Sequence, residues 1–377
     1  MPQISRLASD SGRYDVVALT SAADLLDVAD AWNAVASSTP SPFLTAGWLA
    51  AWEEVYGAGS SGVLLRDGDG RVAAGGWLPR PRAELRDEAL GELHDWDVVA
   101  VDDDARAAAW HALLEHAPRR MRYPGLVADT PATAVARRAL EATRHRVLDR
   151  PGYASPRLEL PESADALMAS VSRNLRSQVG RRRRALEREG ALELRTVRDG
   201  PAVGPALDAF LAVEASGWKR KSGTAILANP RTERLFRAFA ECASRAGVLR
   251  LYLLELDGRT VAADFGAAVG GTGFLMKTGY DEELGRLSPG LVLRAEVLRA
   301  SIEEGLRAYD FLGGTETYKL QWGAVPRPRV ELVAFRGPLE ALRWAWLARL
   351  RPAAVPLARR VLRRPAPTAP PALAPPA

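Results

Sequence analysis

The sequence has very little cysteine and histidine, the residue types that most often hold zinc or form disulfides. Its 377 residues include one cysteine, Cys242, and four histidines, all of which precede residue 150. A single cysteine excludes an internal disulfide and a thiolate cage for a metal ion, and histidines confined to one part of the chain argue against a zinc enzyme. We therefore expect no metal cofactor.

Long apolar runs are absent as well. No uninterrupted apolar stretch approaches the roughly 18 to 20 residues that a membrane-spanning helix needs. The amino terminus lacks the basic and then apolar run of a signal peptide. With 47% apolar and 26% charged residues, the composition is typical of a packed globular chain with room for two domains. We expect a soluble, cytoplasmic protein.

Lysine is scarce among the basic residues. Only four of the 51 basic residues are lysines, and all four lie between Lys219 and Lys319. Lysine and arginine are not interchangeable where one compact ammonium must fit a tight site. The grouping therefore predicts a functional region in this window, and chance clustering of a small number is the alternative.

The net charge of +5 is unevenly distributed. Residues 171–190 hold seven arginines and two glutamates, and residues 343–377 hold seven arginines and no acidic residue. The basic character therefore belongs to two local surfaces and does not indicate a nucleic-acid-binding body. We interpret the arginine run at 181–184 as a solvated helix face, with contact to RNA phosphates as the alternative.

The order of helices and strands is similar in the two halves of the chain. Each half reads as helix, helix, hairpin, strand, helix, strand, with the hairpin turns at 67–70 and 257–259. The pattern predicts an α/β protein with an N-terminal domain over 1–160 and a C-terminal domain over 161–338. Residues 339–377 form a basic amphipathic segment and a proline-rich tail that we expect to be disordered.

A strand, a glycine-bearing loop and a helix follow one another over residues 273–305. Proline at the helix start has no amide to leave unpaired, and Gly290 lets a ligand approach the free N–H groups at the positive end of the helix dipole. Arg286 adds a positive charge beside this loop, as a pyrophosphate would require. The sequence predicts an anion site here, and an ordinary strand-to-helix corner is the alternative.

Several short motifs together resemble the acetyltransferase domain of the GNAT superfamily, in the branch of CelD-like proteins of cellulose biosynthesis, which is similar to the Fem-type peptidyltransferases. In the second half they are Trp218-Lys219, Leu256-Asp257-Gly258, Val261-Ala262-Ala263, Lys277-x-Gly279-Tyr280-Asp281, Ser288-Pro289-Gly290, Tyr309-Asp310-Phe311, Gly314 and Tyr318-Lys319-x-x-Trp322. In the first half and the linking helix they are Phe43-Leu44-Thr45-x-x-Trp48-Leu49-x-x-Trp52 and the arginine pattern from Arg173 to Gly190.

The resemblance covers residues 40 to about 335 and implies two GNAT-like folds in tandem, with mixed twisted sheets flanked by helices. It also implies that the second fold binds the donor, acetyl-CoA or another acyl-CoA, through Arg286, Ser288 and Gly290. Arg286 and Gly290 are spaced one residue wider than in the usual donor loop of the superfamily. Fem-type relatives use an aminoacyl-tRNA, and the sequence leaves both donors open.

The segment from Asp310 to Trp322 carries the groups that acyl transfer to an amine requires. The reaction needs a base for the ammonium proton, a donor for the carbonyl oxygen and an acid for the leaving thiolate. Because this half has no histidine, Glu316 or Asp310 is the expected base. Lys319 is the expected oxyanion donor, and Tyr318 or Tyr280 the expected acid. The alternative for Asp310 is a turn cap.

Five further residues are assigned to substrate binding: Trp218, Lys219, Lys277, Asp281 and Trp322. The alternative for Trp218 and Lys219 is a charge cluster at a helix C-terminus. The alternative for Trp322 is a position in the hydrophobic core. The dipeptide His94-Asp95 resembles half of a nucleophilic triad, but no serine or cysteine elbow accompanies it, so we interpret it as structural.

These residues predict an N-acyltransferase that moves an acyl group from acyl-CoA to an amine of a small molecule or of an envelope or polysaccharide precursor. The alternatives are a Fem-type aminoacyl-tRNA-dependent transferase and a catalytically degenerate binding module. The basic tail also predicts weak peripheral contact with an anionic membrane, for which packing onto the second domain is the alternative.

Overall fold

Two β-sheets form the framework of the chain. The computed structural model describes residues 6–7, 13–85, 91–92, 94–115, 117–216 and 223–346. Within that part of the chain, one sheet has five strands in the order β1-β2-β3-β4-β5, and the other has eight in the order β6-β13-β7-β12-β11-β10-β9-β8. The predicted α/β class with sheets flanked by helices is confirmed.

The five-stranded sheet is antiparallel throughout. Its strands are β1 Arg6–Leu7, β2 Asp15–Leu19, β3 Ser61–Arg66, β4 Val72–Leu78 and β5 Val99–Ala100. The helices of this region are Ala22–Asp27, Ala29–Ala36, Ala46–Tyr56 and Asp103–Glu115. Ser21 and Asp24 form a capping box at the first helix, and the Thr45 hydroxyl caps the third, so local hydrogen bonds fix where these helices begin.

The eight-stranded sheet carries most of the residues predicted to be functional. Its strands are β6 Arg120–Val127, β7 Arg146–Glu159, β8 Leu192–Val197, β9 Leu249–Leu256, β10 Arg259–Val269, β11 Thr272–Tyr280, β12 Ala308–Asp310 and β13 Val325–Phe335. The helices are Pro131–Ala142, Ala164–Ser170, Arg173–Glu187, Val203–Glu214, Pro230–Arg245, Pro289–Glu303, Thr317–Leu320 and Pro338–Ala345. β11 and β12 are parallel, whereas the other paired strands of this sheet run antiparallel.

Strands from both sides of residue 160 share this sheet. β7 lies between β12 and β13, and β6 lies beyond β13 at the edge. The domain boundary predicted at residue 160 therefore does not separate one sheet from the other. Sequence reasoning also missed β13, because Pro326 and Pro328 interrupt the pattern that identifies a strand.

Apolar packing joins the first half of the chain to the second. The helix Ala46–Tyr56 places the fully buried Trp48 against two phenylalanines of the helix Pro230–Arg245, with ring centroids 5.9 Å from Phe236 and 5.0 Å from Phe239. Buried aromatic side chains dominate the energy of such contacts. We therefore expect the two halves to keep a fixed mutual orientation.

The helices Ala164–Ser170, Arg173–Glu187 and Pro289–Glu303 contribute to a second apolar core on the opposite face of the large sheet. The 289–303 helix supplies Val292, Leu293, Val297 and Leu298 to this core, all fully buried. None of the described helices is long and apolar enough to cross a membrane.

Candidate functional site

β11 and β12 separate from each other and leave an opening in the large sheet. They pair only at Thr272 with Ala308, Gly273 with Tyr309 and Phe274 with Asp310. β11 then continues to Tyr280, while the segment that follows β12 turns away through Leu312 and Gly313, whose φ angles are 47° and 58°. Among the described strands, none pairs with residues 275–280 on the edge that faces away from β10. An extended ligand can therefore lie along this backbone edge.

A β-bulge lies beside the opening. Phe265 pairs with Lys277 and Gly266 pairs with Leu275, so Met276 is an extra residue with no partner on β10. Bulges bend a strand and frequently occur next to active sites, where they redirect side chains. The bulge places Lys277 at the point where the strand direction changes.

The predicted anion loop follows β11. Asp281 begins a short 3-10 turn by accepting a hydrogen bond from the amide of Glu283 (3.0 Å), and Ser288, at φ 52°, ends it. The helix Pro289–Glu303 then begins without a side-chain cap. A Cβ built on Gly290 would lie 3.4 Å from Cδ1 of Tyr280, so this helix start is adjacent to the end of β11. The amides of Leu291 and Val292 donate to the Ser288 carbonyl oxygen, whereas the Gly290 amide has no partner among the described residues. A free amide at the positive end of a helix favours an anion.

Two arginines flank this loop. Arg286 is exposed on it, and the guanidinium of Arg182 donates a hydrogen bond to the Arg286 carbonyl oxygen. Arg182 lies on the helix Arg173–Glu187, in the run that the sequence alone interprets as a solvated face. Contact between residues 104 positions apart has no local sequence signal, so sequence reasoning could not place Arg182 here.

Lys319 lies buried behind the loop that follows β12. Its ammonium donates to the carbonyl oxygens of Leu312 (2.7 Å) and Gly314 (3.1 Å) and contacts Oε2 of Glu316 (2.8 Å). A lysine has three N–H donors, so these contacts engage all of them. In this arrangement Lys319 holds the loop in place, and it reaches an oxyanion only by releasing one of the three partners.

Asp310, one of the two expected bases, is fully buried with both oxygens engaged. One oxygen accepts the amide of Leu312 (2.9 Å), and the other contacts the guanidinium of Arg327 and lies 3.6 Å from that of Arg329. The contact with the Leu312 amide is the turn cap that the sequence offered as the alternative role of Asp310. The two arginines belong to β13, the strand that sequence reasoning missed, so this pairing had no sequence signal.

Glu316, the other expected base, is about half exposed and pairs with Lys319. Partial burial acts to raise the pKa of Glu316, but the hydrogen bond and positive charge of Lys319 outweigh it and hold the pKa below its usual value. This carboxylate can therefore accept a proton only if its ion pair with Lys319 opens.

The two tyrosines expected to protonate the thiolate are both partly exposed, Tyr318 at 42% and Tyr280 at 39%. Burial raises the pKa of Tyr318 to about 12, although Arg294 opposes the shift. A phenol with such a pKa is protonated at neutral pH and so has a proton to give, but it is a weaker acid than an ordinary tyrosine.

Arg294 joins the helix Pro289–Glu303 to the centre of the large sheet. Its guanidinium, 3% exposed, forms an ion pair with the fully buried Asp264 of β10 at 2.8 Å and donates to the Tyr309 hydroxyl of β12 at 3.0 Å. It also lies 5.6 Å from the ring centre of Phe311. These two contacts fix the helix relative to β10 and to β12, which is one of the two strands that border the opening.

The remaining predicted residues are dispersed. Trp322 is 1% exposed and lies in the second core, so it has the core position that the sequence offered as its alternative role. Asp281 is committed to Arg259 and the Glu283 amide. Trp218 and Lys219 lie outside the described residues. Among the described residues, no group of three or more histidine, cysteine, aspartate or glutamate side chains could hold a metal ion.

Comparisons with known proteins bear on this geometry. The family model of the acetyltransferase (GNAT) domain matches residues 173–320, which include β11, the anion loop and Lys319. No match was found among curated proteins.

Two solved structures, described first below, share the fold at low sequence identity. FemX aligns with a TM-score of 0.54 and 14% identity over 76% of this chain and 90% of that one. The C-terminal domain of a putative lysylphosphatidylglycerol synthetase from Agrobacterium fabrum aligns with a TM-score of 0.52 and 11% identity over 85% and 95%. A tandem GNAT protein from the clavulanic acid pathway aligns at 0.41 and 16% identity over 86% and 99%.

The domain match coincides with the part of the chain in which a split parallel strand pair leads to an uncapped helix start. The predicted resemblance is thereby confirmed for residues 173–320, which match the acetyltransferase (GNAT) domain.

Proposed function

We propose that the chain is an N-acyltransferase that moves an acyl group, acetyl in the simplest case, from acyl-CoA to an amine. One observation carries the proposal. The unpaired edge of β11 runs directly to the uncapped start of the helix Pro289–Glu303, with Arg182 and Arg286 beside it. A pantetheine arm would hydrogen-bond along the strand edge, and the pyrophosphate would lie against the helix amides and the two guanidinium groups.

The transfer would proceed directly, without a covalent enzyme intermediate. The amine nitrogen attacks the thioester carbonyl carbon, a C–N bond forms and the C–S bond breaks. The leaving thiolate takes a proton from a tyrosine hydroxyl, for which our candidate is Tyr318, on the helix Thr317–Leu320 beside Lys319. Lys319 acts by holding the loop 312–314 in place through its hydrogen bonds to Leu312 and Gly314.

The acceptor class is an amine of a small molecule or of an envelope or polysaccharide precursor. The similarity in fold to FemX and to a domain of a putative lysylphosphatidylglycerol synthetase supports an envelope-related acceptor. The same similarity supports a second candidate, an aminoacyl-tRNA-dependent transferase. In that case Arg182 and Arg286 would contact RNA phosphates.

A donor comparison separates these candidates. The purified chain is titrated with acetyl-CoA and, in parallel, assayed for transfer from an aminoacyl-tRNA in the presence and absence of RNase. Saturable thermal stabilisation by acetyl-CoA supports the first function, because a ligand that binds only the folded state raises stability. RNase-sensitive transfer supports the second, and no response to either donor would leave the chain a binding module.

The carboxyl-terminal segment is a separate proposal, contact with an anionic membrane surface. Leu339, Leu342 and Trp346 are 73%, 70% and 51% exposed, so the described start of this segment presents apolar side chains to solvent. Seven arginines follow from residue 343 onward. Salt-sensitive sedimentation with anionic vesicles that is lost on deletion of residues 343–377 would support it, and protein that stays in the supernatant at low salt would refute it.

A further inference from the structure

A group of polar and aromatic side chains lies where the first half of the chain meets β11. The first half supplies His94, with its ring centre 4.8 Å from that of Phe43 and 6.2 Å from that of Tyr153. The GNAT domain supplies Lys277, whose ammonium lies 5.3 Å from the ring centre of Phe236. Phe43 and Phe236 are buried, while the three polar side chains are half-buried and accessible to solvent. We call these five residues the junction pocket.

Lys277 is an ammonium without a counter-ion. In the part of the chain that the structure describes, no carboxylate lies within ion-pair distance of its nitrogen, and no hydrogen-bond acceptor contacts it. Lys319, by comparison, engages three acceptors. A half-buried charge without a partner is unfavourable unless a ligand supplies one. Lys277 is therefore suited to an anionic group on a ligand.

His94 is a neutral imidazole with reachable nitrogens. Burial and the positive charges of Lys277 and Arg329 lower the pKa of His94 to about 4. Its neighbour Asp95 does not offset this, because the Asp95 carboxylate is engaged by Arg329 and the Ser41 hydroxyl. Tyr153 adds a neutral hydroxyl, since burial raises its pKa. No described residue hydrogen-bonds the His94 ring, so its unprotonated nitrogen is free to accept a proton.

The junction pocket and the anion loop are reached from opposite faces of the large sheet. Phe236 belongs to the core shared with the first half, whereas the helix Pro289–Glu303 packs on the other core. Lys277 directly follows the bulged residue Met276 beside the opening. A donor held at the anion loop would therefore present its thioester through the opening toward the junction pocket.

We propose that the junction pocket binds the acceptor, an amine that carries a carboxylate or phosphate group, with the anion paired to Lys277 and the nitrogen beside His94. The inference rests on the proposed acyl transfer. As the C–N bond forms and the C–S bond breaks, the amine proton passes to His94, and the thiolate takes its proton from a tyrosine. The base that the second half lacks is thus supplied by the first half.

Anion binding would also activate the base. A bound carboxylate or phosphate neutralises the charge of Lys277, which is one cause of the lowered His94 pKa. The His94 pKa then rises but stays below its usual value, because burial, the largest cause of the lowered pKa, remains. An acceptor without the anion would leave His94 a weaker proton acceptor, so the pocket selects for the anion in both affinity and rate.

NMR titration of histidine-labelled protein tests the binding step without any donor. His94→Gln identifies the His94 signal, and His111→Gln, at an exposed position, is the matched control. Three probes are compared: glycine, phosphoethanolamine and ethylamine. We expect glycine or phosphoethanolamine, but not ethylamine, to raise the His94 pKa by about one unit. The anionic probe that acts identifies the group. In Lys277→Met the His94 pKa should be raised without a probe and should respond to none of them.

The proposal is overturned if neither anionic amine moves the His94 signal, or if Lys277→Met leaves the His94 pKa unchanged.

A kinetic measurement tests whether His94 is the base. His94→Gln should lower kcat at least about 100-fold while acetyl-CoA affinity and the melting temperature stay near wild type, and His111→Gln should do neither. Full activity in a folded His94→Gln variant refutes the base. Failure of wild-type protein to bind acetyl-CoA would instead refute the proposed function and leave the NMR result standing.

Discussion

Replacing Gly290 by aspartate should remove donor binding and yet stabilise the fold. A Cβ at this position meets Cδ1 of Tyr280 at 3.4 Å, which is ordinary contact, so the side chain fits. The new carboxylate would lie at the uncapped start of the helix Pro289–Glu303, where a negative charge stabilises the helix by about 0.3–1 kcal/mol. It would also occupy the place proposed for the donor pyrophosphate.

The expected loss of affinity follows from Coulomb's law. Two negative charges about 5 Å apart at an effective dielectric constant of about 20 repel each other by roughly 3 kcal/mol. Since each 1.4 kcal/mol or so is a factor of ten, acetyl-CoA should bind at least about 100-fold more weakly. Gly290→Asn has nearly the same shape without the charge and serves as the matched control, with a much smaller expected loss.

Calorimetric titration with acetyl-CoA and thermal unfolding of the three proteins provide the measurement. The account predicts affinities in the order wild type, asparagine variant, aspartate variant, with the aspartate variant melting at or above the temperature of the asparagine variant. Equal affinity in all three proteins would move the donor site elsewhere. Equal loss in both variants would mean that shape, and not charge, excludes the donor.

Three further predictions concern charged and titratable groups. Lys319→Met should lower turnover at least about 100-fold with acetyl-CoA affinity preserved, because the loop 312–314, which leads into the helix carrying Tyr318, loses its anchor, and unchanged turnover in a folded variant would remove Lys319 from the mechanism. Arg329→Met leaves Asp95 without its buried partner and should lower the free energy of unfolding in urea by about 3–5 kcal/mol, whereas Arg137→Met, which breaks a partly exposed pair with Asp149, should cost less than about 1 kcal/mol. Burial lowers the pKa of His145 from 6.5 to about 4, so the unfolded state binds more protons than the native state between these values. Stability should therefore fall by up to about 3 kcal/mol as pH decreases through that window, and His145→Gln should remove this part of the pH dependence; an unchanged slope would contradict the assignment.

Local signals in the sequence predicted most of the framework. The glycine-bearing turn at 67–70 marked a hairpin, and capping residues such as Ser21 and Thr45 marked helix starts, because each depends on neighbours within a few positions. The sequence did not predict β13, because its two prolines are typical of a loop. With β13 missing, the position of β7 within the large sheet could not be predicted either.

In the candidate site, too, the parts that are contiguous in sequence could be predicted and the parts that packing brings together could not. The strand, loop and helix around Gly290 are contiguous in sequence, and the prediction of an uncapped helix start next to a strand end could be made from them. The partners of Asp310 come from β13, and His94 and Lys277, whose charge lowers the His94 pKa, are 183 positions apart in the chain. Such contacts depend on packing between elements, for which a single sequence holds no local signal. His94 was accordingly interpreted as structural.

The central claim is that the opening beside β11 and the helix start at Pro289 hold an acyl-CoA. Titration of the wild-type chain with acetyl-CoA, followed by thermal unfolding at each concentration, tests this most directly. The account predicts saturable stabilisation that increases with ligand concentration as one-site binding requires. A melting temperature that stays constant up to millimolar acetyl-CoA would contradict it.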